Sequence, residues 1–237
     1  MTNSGPVLRA MRIAAIAPQG VEDIRALRLD PVADGTDTSI RDFIPGQALH
    51  VHAPSGEASY FAVASPPGSP HYDILVKRAN GCSKELFDLP VGATVRAAGP
   101  LGKGFPLAKH TGSDVLLIGV GTGIAPLRSV LGWALERRAD FGRLTLLYGV
   151  LTPPHWCYEA EFAGWRAAGV DARVTVTSAG ETAWRGAVGF VQDLLPTLDV
   201  SPARTVACLV GMKPMIEANT ETLKTMGLPP ERILLNF

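Results

Sequence analysis

At 237 residues the chain is long for one domain and comfortable for two of roughly 100–130 residues each. Hydrophobic residues make up 46% and charged residues 19%, the balance of a packed protein and not of a disordered one. Lys+Arg and Asp+Glu cancel at 22 each and the longest basic run is Arg137-Arg138, which argues against a nucleic-acid partner.

No apolar run approaches the ~20 residues that a membrane-spanning helix needs, and Met1–Arg12 lacks the apolar core of a signal peptide. Cys82, Cys157 and Cys208 lie far apart, without the CxxC spacing of zinc or iron–sulfur ligands. They read as reduced thiols. The expected location is the cytoplasm, or an organelle stroma or matrix if a transit peptide has been removed.

Up to about residue 110, β-like segments alternate with turn residues. They cover Ala10–Ala17, Ile24–Leu29, Ala48–His52, Tyr60–Ser65, Asp73–Arg78 and Thr94–Ala98, punctuated by Pro18-Gln-Gly20, Pro45-Gly46, Pro54-Ser-Gly56 and Pro66-Pro-Gly68. Short strands at such spacing predict an antiparallel barrel or sandwich, with Ser83–Leu89 as its one helix.

Beyond residue 110 the pattern becomes strand–helix alternation. Val115–Val120 is an uninterrupted apolar run, as expected of a strand buried on both faces. Ile124, Leu127, Val130, Leu131, Ala134 and Leu135 then recur at helical spacing. Leu144–Val150 reads as a strand and Tyr158–Ala168 as a helix stopped by Gly169. A strand at Arg173–Thr177, a short helix at Phe190–Leu195 and a strand at Thr205–Gly211 follow. Pro214–Met226 is a helix ended by Gly227, and Ile233–Phe237 a last strand. This is a doubly wound parallel sheet. The two domains are expected at residues 1–109 and 113–237, with the boundary at Lys109–Ser113.

The strongest motif is Gly119-Val-Gly121-Thr122-Gly123-Ile-Ala125-Pro126, set between a buried strand and a helix. Glycines let backbone approach a pyrophosphate, and the following helix offers unpaired N–H groups. The competing reading is a tight strand-to-helix turn that needs glycine only for its geometry. The spacing is GxGTGxAP and not GxGxxG, and the second strand ends Gly149-Val-Leu-Thr152 without an acidic residue for ribose. That departs from an ordinary dehydrogenase.

These departures, with the order of the other motifs, make the chain similar to the ferredoxin–NADP reductase family over nearly its full length. The motifs are Phe43-Ile-Pro45-Gly46-Gln47, Gly81-Cys-Ser83, Gly99-Pro100-Leu-Gly102 with Phe105, and the Gly119–Pro126 turn. After them come Leu147-Tyr-Gly149 with Tyr158 and Glu161, then Trp184-Arg-Gly186 with Gly189-Phe-Val191, Val210-Gly211-Met-Lys-Pro214-Met215 and the Glu231-Arg-Ile233…Phe237 ending. The resemblance implies an FAD-binding antiparallel barrel followed by an NAD(P)-binding sheet, with hydride passing between the two cofactors in the cleft.

It also implies roles for individual residues. Gly81, Cys82 and Ser83 would hold the FAD pyrophosphate, the alternative being a plain helix cap by Ser83. Gly119, Gly121, Thr122, Gly123 and Pro126 would form the nicotinamide-side turn, with Gly211 and Met212 beside it. Aligning on Ser65 places Ser59, Phe61 and Ala62 at the family's Arg-x-Tyr-Ser arginine, tyrosine and first serine, with Val63 next. Phe61 is then expected to pack on flavin, with Val63 and Ser65 also binding the cofactor, while Ala62 stands at the position facing its N5 and carries no hydroxyl. Lys77 and Arg78 are candidates for the missing cation.

Phe237 is expected to stack on the flavin, the alternative being a core Phe of an edge strand. Val210 occupies a cysteine position beside the nicotinamide, and Cys208 is the one thiol on that strand able to substitute, unless it is a core residue. Ser178 and Arg185, with Lys213, are the candidates for a 2′-phosphate, but Ala179 stands where NADP-specific members place arginine, which leans the coenzyme toward NADH. His50 and His52 share a strand face without a third metal ligand, so no metal is expected.

The acceptor is expected to be another protein or a small molecule. The alternative is a non-enzymatic or electron-transfer subunit of a larger complex that keeps the reductase fold.

Overall fold

In a computed structural model, residues 7–32 and 42–236 are described. The amino-terminal half holds β1 (Arg9–Gln19), β2 (Val21–Pro31), β3 (Ala48–His52), β4 (Ala58–Ala62), β5 (Tyr72–Lys77) and β6 (Thr94–Leu101). They pair antiparallel in the order β4-β3-β6-β1-β2-β5. A bridge from Val63 to Ile74 and the bond from Ala64 N to Asp73 O (2.7 Å) tie the two edge strands together, so the sheet closes into a barrel. Alternation fills it: Met11, Ile13, Leu27, Leu29, Leu49 and Val51 all point inward. Helix α1 (Cys82–Asp88) closes one end with Cys82, Leu86 and Phe87.

The second half runs β7 (Asp114–Val120), α2 (Ile124–Glu136), β8 (Leu144–Val150), α3 (Glu159–Ala167) and β9 (Val170–Val176). It continues through β10 (Ala187–Val188), β11 (Thr205–Val210), α4 (Lys213–Thr225) and β12 (Ile233–Leu235). All neighbours are parallel, in the order β10-β9-β8-β7-β11-β12. The chain winds outward from β7 to β10, then returns to β11 on the other side of β7. That reversal opens a crevice at the carboxyl ends of β7 and β11, where doubly wound sheets take their ligands.

Two elements differ from the sequence expectation. The segment expected as a short helix at 190–195 is a 3₁₀ helix, Val191–Thr197, and it contains Pro196, which has no N–H to donate. β10 is only two residues long, too short for periodicity to announce it.

Barrel and sheet share one apolar cluster, in which Ile24, Ala64, Leu75, Phe105 and Leu107 of the barrel side meet the α2 and sheet residues. Gly132 of α2 lies flat on Pro66, where a Cβ would stand 3.1 Å from the proline ring. Among the described residues no helix is long and apolar enough to cross a membrane.

Candidate cofactor site

The glycine-rich turn sits at the crevice. Gly121 has φ +53°, and a side chain there would meet nothing within 4 Å, so its backbone faces open space. Gly119 and Gly123 serve a second purpose. A Cβ on Gly119 would lie 2.7 Å from Leu127 Cδ1, and one on Gly123 3.0 Å from Val210 O. Their absence lets α2 seat against β11 with its first N–H groups toward the crevice. Thr122 lies between these glycines, half-buried, and Pro126 is buried in the first turn of α2. The Tyr148 hydroxyl donates to Gly121 O at 2.9 Å, and burial pushes its pKa well up, so it remains a neutral clamp on the turn.

The F-x-P-G-Q segment builds the wall where barrel meets sheet. Gln47 donates to Gly102 O (2.7 Å) and accepts from Ile44 N (3.0 Å). Asn236, just past β12, donates through Nδ2 to Gly46 O (3.0 Å), which fixes its amide orientation. Its Oδ1 is buried and has no protein partner among the described residues. Nothing in the sequence singled out Asn236.

Strand β4 corrects the expectation for Phe61. Phe61 pairs with Leu49 in register and packs inside the barrel core, 8% exposed, so it cannot lie against a ring outside the barrel. Its neighbour Tyr60 is the outward aromatic, 64% exposed and stacked on His50 at 4.5 Å. Ala62 shares that outer face opposite Ala48, and Val63 is buried. Ser65 is also displaced from the expected role: its Oγ accepts from Asp73 N (3.0 Å) and donates to His71 O (3.2 Å). Its carbonyl accepts from Ser129 Oγ (2.8 Å). Ser65 fastens the barrel to α2.

At α1, Gly81 has φ +60° and precedes the helix. Cys82 is buried with its thiol donating to Val51 O, and burial raises its pKa. The Ser83 hydroxyl donates to Asn80 O (3.0 Å) and does not cap the helix. The candidate cations are engaged elsewhere. Arg78 holds Asp88 through two 3.1 Å bonds at the far end of α1, and Lys77 lies 3.8 Å from Asp23.

On the nicotinamide side, Gly211 and the exposed Met212 border the crevice between β11 and α4. Cys208 points to the same side of β11 as Val210 but two residues deeper. It is fully buried in the core, and burial drives its thiol pKa far up, so the structure removes it from catalysis. Ser178 is exposed after β9, its Oγ accepting from Gly180 N (3.4 Å), and Arg185 is exposed in the following loop. Phe237 lies outside the described residues. A cleft of about 440 Å³ at the opposite edge of the sheet lies among Asp114, Arg143, Asp171 and Arg173. Those charges pair with one another, and it faces the amino ends of the strands, away from the crevice.

Residues 117–221 match the family described as the oxidoreductase NAD-binding domain. The chain is 34% identical over 150 residues to ferredoxin–NADP reductase B of Sorangium cellulosum, covering 61% of each protein. It is 27% identical over 198 residues to sulfhydrogenase 1 subunit gamma of Pyrococcus furiosus, covering 82% of this chain and 68% of that one. The ferredoxin reductase of carbazole 1,9a-dioxygenase superposes with a TM-score of 0.82 at 22% identity, over all of this chain and 70% of the other. Together these matches support a reductase of the ferredoxin–NADP reductase-like kind.

Reductases of this kind bind FAD and a nicotinamide dinucleotide, and the residues of this chain fit the dinucleotide phosphate and the ring end of the flavin. The open side of Gly121 suits a dinucleotide phosphate. The orphaned Asn236 Oδ1 suits a ring imide or amide N–H, the kind of donor both cofactors carry. Only the diphosphate end of the flavin side departs, because arginine is missing at Ser59 and the candidate cations are committed elsewhere. Besides Asn236, the sequence did not single out Glu57, in a polar turn over Gly81, or Arg128, at an exposed-looking helix position.

Proposed function

We propose that this chain carries electrons from a nicotinamide dinucleotide through flavin to a separate acceptor. Residues 1–109 form the flavin half and residues 113–237 the nicotinamide half. The chemistry that the two bound cofactors supply is hydride transfer. The protein's part is positioning. The Gly121 turn and the start of α2 hold a phosphate, Tyr148 fixes that turn, and Asn236 holds an amide or imide edge. Tyr60 with His50 offers an aromatic outer face on β4, and Arg128 and Ser129 keep the two halves in register.

The observations that carry this reading are the glycine turn open to solvent at the carboxyl end of β7 and, just past β12, the bond that joins Asn236 to Gly46 of the barrel wall. NADH is the expected donor, since Ala179 and the exposed Glu181 follow Ser178 and offer a 2′-phosphate no charge complement. The acceptor is a carrier protein or a small molecule. Membership of a larger complex is a second reading, supported by the similarity to a sulfhydrogenase gamma subunit. Three buried, unpaired cysteines support a reducing compartment such as the cytoplasm.

An anaerobic titration tests it. Protein reconstituted with FAD should lose its flavin absorbance on stoichiometric NADH, and more slowly with NADPH. Absence of bleaching by either nucleotide overturns the assignment.

A further inference from the structure

The amino end of α1 is where a flavin diphosphate is expected, and the side chains there carry the wrong sign for it. Glu57, in the β3–β4 turn, holds its carboxylate over Gly81 so closely that a Cβ on Gly81 would collide with it. Glu85 stands beside it and accepts from Ser55 N (3.0 Å) and from Ser55 Oγ. Among the described residues the one ammonium lining this cleft, Lys84, is paired with Asp88 at 3.3 Å. Arg78 is committed to the same Asp88. Ser59, at the family's arginine position, adds no charge. A diphosphate placed at Gly81 would therefore meet carboxylates at short range, in a shallow cleft open to solvent where added salt weakens the repulsion.

We propose that Glu57 is a specificity-determining residue that opposes the diphosphate of FAD, so that this chain grips flavin chiefly through its ring system. The inference rests on the flavin reading above and sharpens it. Dinucleotide and ring-only flavins should bind with similar affinity, in contrast to a site with an arginine on the phosphates. The charge at position 57 should tune the FAD arm alone.

The test is equilibrium binding of riboflavin and of FAD, followed by flavin fluorescence, to the wild-type chain, E57Q and E57K. The Glu57 side chain is exposed and its turn is held by backbone bonds such as Ala53 N to Glu57 O (2.8 Å), so both variants keep the fold, which circular dichroism verifies. FAD affinity should rise about tenfold for each unit of charge removed or reversed, shrinking in ~0.5 M salt, while riboflavin stays within about twofold. An unchanged FAD-to-riboflavin ratio across the three proteins overturns the inference and leaves the flavin reading intact. Failure of all three to bind either flavin overturns both.

Discussion

Arg128 of α2 reaches out of the sheet half and places its guanidinium 3.3 Å from Asp73 of the barrel, while the same group holds Glu161 of α3 at 2.9 Å. It also donates to Ala64 O at 3.0 Å and lies 4.8 Å over the Tyr158 ring. Burial disfavours the charge, but the hydrogen bond and charge of Glu161, with Asp73 behind, outweigh it and raise the Arg128 pKa. One side chain thus joins three elements across the cleft. Replacing it by methionine leaves the apolar stem but takes the cation from Glu161 and one partner from Asp73, which is only 13% exposed and keeps Arg28 at 3.4 Å. We expect R128M to lose about 2–4 kcal/mol and to melt about 5–15 °C lower. A melting temperature unchanged by R128M would show that the apolar interface alone couples the halves.

Phe61 and Tyr60 separate stability from binding. Phe61→Ala empties a filled place in the barrel and should cost about 3–5 kcal/mol in a urea titration. Tyr60→Ala removes an exposed ring and should leave the urea midpoint nearly unmoved while weakening flavin binding several-fold. If Y60A binds flavin as tightly as wild type, the outer face of β4 is not where the ring lies.

The contrast between those two neighbours shows what the sequence could and could not carry. Alternation and turn residues located nearly every strand, because burial on one face leaves a period-two signature and burial on both leaves an apolar run, as at Val115–Val120. The glycine turn was legible since open backbone and close packing both demand Gly. Which face of β4 points outward was not. Ser59, Tyr60, Phe61 and Ala62 mix polar and apolar on both faces, and only the pairing with Leu49 and Val51 settles it. Glu57 and Asn236 depend on neighbours 24 and 190 residues away in Gly81 and Gly46, contacts that no local pattern encodes.

Cys208 offers a check on the nicotinamide side. Full burial keeps the thiol protonated and out of reach, so a disulfide reagent should not label it in the native protein and should do so after denaturation. C208A should retain NADH-dependent flavin reduction within about twofold, at a stability cost of about 1 kcal/mol for the lost sulfur. A large loss of rate without loss of stability would return the residue to the site.

His110, where the barrel leads into the sheet, has its pKa lowered by burial first and then by the charges of Arg232 and Lys109. A depressed folded-state pKa means that the unfolded chain takes up the proton more readily. Stability is therefore whole above the ordinary histidine value of about 6.5 and drains as pH falls through the lower folded value. Melting temperature should decline as pH falls below about 6.5, and H110Q should flatten that slope without changing the plateau above it. An identical slope in the variant would assign the acid sensitivity to other groups.

Coenzyme choice follows from charge at the end of β9. A 2′-phosphate needs cations held in place, whereas the exposed Ser178 is followed by the half-buried Ala179 and then by the exposed Glu181. Arg185 lies seven residues beyond Ser178, past the turn that Thr182 closes through its bond to Ala179 O (2.6 Å). With the wild-type chain, kcat/KM for NADH should exceed that for NADPH by about tenfold or more, the size of one charge-assisted contact. The double variant A179R/E181Q supplies a guanidinium and removes the opposing carboxylate. It should close most of that gap by raising the NADPH value and leaving NADH within about twofold, since only the phosphate distinguishes the two. If NADH falls as far as NADPH rises, the segment shapes the adenosine pocket and does not read its charge.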